Sequence, residues 1–228
     1  RATLAGHHVA GLASGDDRAV VAAGSGSASI RGYAGRRRNT LDSLEGTTML
    51  IRIDRSTLLM VDLQERLQPA IHEAERVLEA SLWLTRLAQR LSVPVICTEQ
   101  YPKGLGPTLP VLRRLLPDEC VVEKLHFSAV PEGGLWNRCG GDRAQFVVIG
   151  TEAHVCVQQT VLDLLDAGRR VFVVEEAVGS RRSADKELAL ARMRSHGADI
   201  VSREMVAFEW LRQAGTEIFR EISREFIR

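Results

Sequence analysis

The chain has 228 residues, with 30 lysines and arginines against 29 aspartates and glutamates, a formal net charge of +1. That length suffices to bury one sizeable core, and the near balance of charge excludes a broad field for nucleic acid or an anionic membrane surface. No apolar run reaches the ~18 residues of a membrane span, and the cysteines at 97, 120, 139 and 156 are too sparse for a disulfide framework or a zinc site. The expectation is a cytoplasmic protein with free thiols and a small-molecule partner.

Residues 1–48, including "AAGSGSASIRGYAGRRRNT", lack apolar periodicity and cannot repay the entropy of ordering. They read as a disordered leader, with Met49 as the expected native start and an organellar transit segment as the alternative. "GSGSAS" lacks a glycine and a βαβ setting for a dinucleotide fingerprint. Residues 49–228 read as one domain, in which short β-branched runs alternate with helical periodicity.

The predicted strands are Thr57–Val61, Pro94–Thr98, Val121–Glu123, Phe146–Ile149, Val171–Glu175 and Asp199–Val201. Most are apolar on both faces, as in a parallel sheet covered on each side. Between the first two, Val77, Ala80, Leu84, Leu87, Ala88 and Leu91 form one helical stripe. Further helices are predicted over 153–167 and 182–196, each stopped by a glycine, Gly168 and Gly197. Helical material over 203–227 carries Trp210, Ile218, Phe219 and Phe226, which need cover from the domain or a second subunit.

In an open parallel sheet, ligands bind beyond the carboxyl ends of the strands. Asp62 follows the first strand there, Lys124 ends the third, and Gly150 leads from the fourth into the turn holding Cys156. Taken singly, Asp62 reads as a helix cap, Lys124 as a surface lysine and Cys156 as a small buried hydrophobe. Together they fit acyl transfer. A thiol in a helix's first turn beside a lysine is expected to ionise near neutrality, with Asp62 shuttling the proton. Backbone amides of the 152–156 turn are then candidates for an oxyanion hole.

"LLMVDLQERL", "VICTEQYPKGLGPT", "VVEKLHFSAV" and "VVIGTEAHVCVQQTVLDLLDAGRRVFVVEEAVGSR" resemble the isochorismatase-like cysteine hydrolases, especially the isochorismatase domain-containing branch. The resemblance spans about 53–210. It implies an α/β fold of Rossmann-like type, a three-layer α/β/α sandwich with a six-stranded, mainly parallel sheet. It also implies a triad on Asp62, Lys124 and Cys156, oxyanion donors at the Glu152 and Cys156 amides, a cis peptide between Thr151 and Glu152, and a homo-oligomer. The nicotinamidase branch binds a metal through Asp-x-His, but "CTEQYPKG" has no histidine, so neither metal nor cofactor is expected. Retention of Cys156 favours C–N over vinyl-ether hydrolysis, and "SAV" replaces the aromatic that often follows Ser-Ala, which alters the wall near Val130.

Glu99, Gln100, Tyr101, Phe127 and His154 are candidate substrate contacts. His126 is a weaker one, and Arg181 and Arg182 either bind a substrate carboxylate or start a solvated helix. The leading expectation is hydrolysis of a small amide or related C–N bond through a thioester on Cys156. The alternatives are a catalytically silent binding or scaffold module and a redox-sensing thiol with a resolving cysteine nearby.

Overall fold

A computed structural model describes residues 49–227; the expectations for residues 1–48 lie outside it. Six strands form one all-parallel sheet: β1 (Ser56–Val61), β2 (Val95–Gln100), β3 (Val121–Lys124), β4 (Gln145–Thr151), β5 (Arg170–Gly179) and β6 (Asp199–Val201). Their order across the sheet is β3-β2-β1-β4-β5-β6. The α/β/α expectation therefore holds.

The strands are buried on both faces because successive side chains feed different cores. Leu58, Met60, Val147, Ile149, Phe172 and Val174 point to one side. They meet α1 (Ala74–Arg90), whose Val77, Ala80, Leu84, Leu87 and Ala88 form the predicted stripe. Leu59, Val61, Ile96, Phe146, Val148 and Val173 point to the other. There they meet α4 (Gln158–Asp166) through Val161 and Leu164, and α5 (Ser183–Ser195) through Ala189 and Met193. Each such fully buried aliphatic or aromatic side chain contributes about 1.5–3 kcal/mol.

Two short helices unforeseen in the sequence, α2 (Pro102–Leu105) and α3 (Pro110–Arg113), follow β2. Each starts on a proline, whose missing N–H is no loss in a first turn. Gly168 and Gly197 adopt positive φ, 74° and 102°, and close their helices as anticipated.

Two expectations need correction. Strand β2 continues through Glu99 and Gln100, and β5 is about twice the predicted length, because an irregularity lets it re-pair: Val148 partners Val173, yet Gly150 partners Val178. Glu175 ends the predicted stretch and Glu176 opens the extra length; Glu175 pairs with Lys186 Nζ at 2.7 Å, and Glu176 accepts from the Arg203 amide at 2.9 Å. The tail takes its cover from the domain, the first of the two alternatives. It forms α6 (Arg203–Leu211) and α7 (Glu217–Ile222), with Trp210 buried and donating to Ser56 Oγ at 2.8 Å. Phe226 meets the Trp83 ring edge-on at 5.7 Å. Among the described residues no helix is long and apolar enough to cross a membrane.

Candidate active site

The chain runs from β1 outward to β2 and β3, then returns across β1 to place β4 on its other side. That reversal opens a crevice beyond the carboxyl ends of β1 and β4. Asp62, at the end of β1, turns the backbone with φ 53°. At the end of β4, Gly150 pairs with Val61, and a Cβ there would lie 2.2 Å from the Val61 carbonyl oxygen. Only glycine lets the strands approach so closely. Gly150→Ala is expected to cost at least about 2–3 kcal/mol because a backbone oxygen cannot step aside. Thermal unfolding unchanged from wild type would refute this.

Thr151 Oγ1 donates to the Asp62 carbonyl, joining the two strand ends. The Asp62 side chain is fully buried. Its Oδ1 accepts from Thr98 Oγ1 at 2.7 Å and its Oδ2 from Lys124 Nζ at 2.7 Å. The Lys124 ammonium, also buried, donates to Gln100 Oε1 at 2.7 Å and to the Phe127 carbonyl at 2.9 Å. Four acceptors, counting His126 O at 3.4 Å, thus replace its hydration, as a buried ammonium requires.

Cys156 sits in a π-helical turn, Ala153–Val157, that precedes α4. It is 4% exposed and lies on the same side of the sheet as Ile96 and Val122. Thr98, Gln100 and Lys124 share that side by strand alternation. The expected thiolate near neutrality is not what this setting favours. Burial pushes the thiol pKa up, and the Asp62 charge adds to the rise; Lys124 opposes it, while a hydrogen bond with Asp62 and the charge of Glu152 raise it further. The lysine is already paired with Asp62, so its pull on the sulfur is outweighed. The resting group is a neutral thiol beside a carboxylate.

The sign follows directly. A folded pKa above the ordinary 9.0 favours the fold below that pH, and the contribution is lost as the thiol ionises at higher pH. Iodoacetamide labelling, read by peptide mass spectrometry, is therefore expected to rise for Cys156 only above the ordinary thiol range, with exposed Cys139 as control. A midpoint below that range would overturn this account.

The remaining candidates separate. Gln100 belongs to the cluster: besides receiving Lys124 it donates to Leu125 O at 2.7 Å, and Gln64 Oε1 accepts from its amide at 2.8 Å. Glu99 points to the opposite side, where its carboxylate takes the Thr108 amide at 2.8 Å and hydroxyl at 2.7 Å. Tyr101 and Phe127 are half exposed. Tyr101 lines a cavity of about 310 Å³ with Pro102, Lys103 and Leu125, beside β3. His126 is held outward on Glu132, whereas His154 Nδ1 lies 3.0 Å from Ser180 Oγ. Val130 packs at the edge of the core that holds Cys156.

Residues absent from the sequence reading do much of the positioning. Gln64 bridges the Gln100 and Gly106 carbonyls at 3.0 and 2.6 Å. Glu132 takes the His126 amide at 2.8 Å, the His126 ring at 2.7 Å and the Leu125 amide at 2.7 Å, which together hold its pKa down at about 2 and fix the loop whose carbonyls receive Lys124. Cys97 lies in the core across the sheet, and burial pushes its thiol up to about 12. Among the described residues no group of three or more His, Cys, Asp or Glu side chains is gathered as a metal site.

Fold and cluster together define a parallel α/β/α protein with an Asp, Lys and Cys gathered at the strand crossover. The isochorismatase domain family model matches residues 56–205. Mouse isochorismatase domain-containing protein 2A is 38% identical over 173 residues, 74% of this chain and 81% of that protein. The structure of MAR1 ribonuclease from Caenorhabditis elegans superposes with TM-score 0.70 at 35% identity, covering 77% of this chain and 91% of its own. The Escherichia coli YcaC product, described as an octameric hydrolase of unknown specificity, shares the fold with TM-score 0.69 at 23% identity, over 79% and 92% of the two chains. The chain belongs to the isochorismatase family.

Proposed function

We propose that the protein is a cysteine hydrolase acting on a small amide or related C–N bond. The single observation that carries this reading is the setting of Asp62, a buried carboxylate with Lys124 and Thr98 on its oxygens and the Cys156 thiol beside it. Asp62, with Lys124 on one oxygen and Thr98 on the other, is placed to take the thiol proton as sulfur attacks. A neutral resting thiol suits this order, because deprotonation and attack are coupled rather than separate.

The Sγ–C bond forms, oxygen gains negative charge, and the Glu152 and Cys156 amides are the proposed donors to it. Asp62 returns the proton to the leaving nitrogen as the C–N bond breaks. Water, deprotonated by Asp62, then cleaves the thioester and restores the thiol. The ribonuclease name of the nematode neighbour suggests another class of substrate, but Lys124 is 1% exposed and engaged with its own acceptors, leaving no ammonium at the triad for a phosphate. Assembly into a homo-oligomer and residence in a reducing compartment belong to the same proposal; the octameric state of YcaC supports the first.

The test is a panel of small primary and secondary amides, followed for amine release and by intact-protein mass spectrometry with hydroxylamine to capture acyl groups. An acyl adduct on Cys156, and release that Cys156→Ala lacks, are expected. Release at the wild-type rate from Cys156→Ala would sink the reading and leave the binding module in its place.

A further inference from the structure

Glu152 is the residue in the turn that the triad does not use. Its side chain is 9% exposed. One oxygen, Oε1, is held by Arg181 Nε at 2.9 Å, which fixes the carboxylate in place. The other, Oε2, is buried and accepts no hydrogen bond. His154 Nδ1 stands 3.4 Å away, but that nitrogen lies 3.0 Å from Ser180 Oγ, and Asp185 flanks the same ring from its far side at 4.0 Å. A buried carboxylate oxygen left without a donor is costly, and this one belongs to the π-helical turn's cap, its charge felt by the Cys156 sulfur.

We infer that Glu152 Oε2 is the acceptor for an N–H of the substrate, so that the site selects molecules carrying an amide or amine N–H within two bonds of the carbon that Cys156 attacks. This rests on Cys156 being the nucleophile. It adds a determinant of specificity: a matched ester fills the same space but leaves Oε2 unpaired. Sites built to pair a polar group discriminate strongly against analogues that lack it, because the site's own buried group is then orphaned. Arg181, 60% exposed, only fixes the carboxylate.

Two alkylating probes separate the ideas. Iodoacetamide offers N–H donors, methyl iodoacetate offers none, and each rate at Cys156 is divided by that with free N-acetylcysteine. At one fixed pH above the ordinary thiol range, where Cys156 is expected to label, the wild type is expected to prefer the amide by about tenfold, the effect of one hydrogen bond to a charged acceptor. Glu152→Leu is expected to abolish the preference, and Glu152→Gln, which keeps an acceptor oxygen, to retain part of it. Equal preference in wild type and in both variants would overturn the inference and assign Oε2 to water alone. If neither probe reaches Cys156 in the folded wild type while Cys139 reacts, the nucleophile reading itself falls, and this inference with it.

Discussion

Lys124→Met is expected to lower stability by about 3–5 kcal/mol, because it removes the one cation that, among the described residues, is bonded to the fully buried Asp62 carboxylate. For a domain of this size that is a fall in melting temperature on the order of 10 °C. The companion Asp62→Asn should cost less: the ammonium keeps Gln100 Oε1 and the Phe127 carbonyl, whereas in Lys124→Met the Asp62 carboxylate keeps the Thr98 hydroxyl and the Cys156 thiol, neither of which carries a positive charge. The double variant should recover part of the loss, since no unpaired charge remains. It should recover no activity, because the proposed proton acceptor is gone. Additive losses in the double variant would mean that the two side chains are not coupled.

Cys156→Ala is expected to show the opposite balance. Turnover should drop by about 10⁴-fold or more, as when the nucleophile of an acyl-transfer site is deleted, while the melting temperature moves by no more than ~3 °C. The substitution removes one atom from the edge of a core and leaves the Asp62–Lys124 pair intact. Turnover and circular dichroism on the same preparation decide it. A collapse of both would recast the thiol as a packing group.

The strands were legible because most are apolar runs between turn residues. The same property hid which strand-end side chains share the site. In a strand buried on both faces neither face is marked polar, so Glu99 and Gln100 looked equivalent; alternation sends one to Thr108 and the other to Lys124. The thiol was misjudged for a related reason. A lysine close in the fold lowers a thiol pKa only with the charge it has left after its own pairing, and Asp62 takes most of that. Glu132 was invisible because its role depends on a loop folding back over several residues to meet it, for which the sequence carries no period. The re-paired end of β5 likewise arises from its neighbour's register rather than from local propensity.

The strand order also bears on how the molecule is made. β1, first in the sequence, ends between β2 and β4, and its β4 partner appears only after α1, β2 and β3 have been synthesised. Until then one edge of β1 has no ladder, and the leading part of the chain exposes apolar surface that only the later strands cover. Pairings this distant along the chain make for high contact order and slow folding. Synthesis halted before residue 145 should therefore yield a chain that depends on chaperones, and Asp62 acquires Cys156 as a neighbour only once β4 has docked.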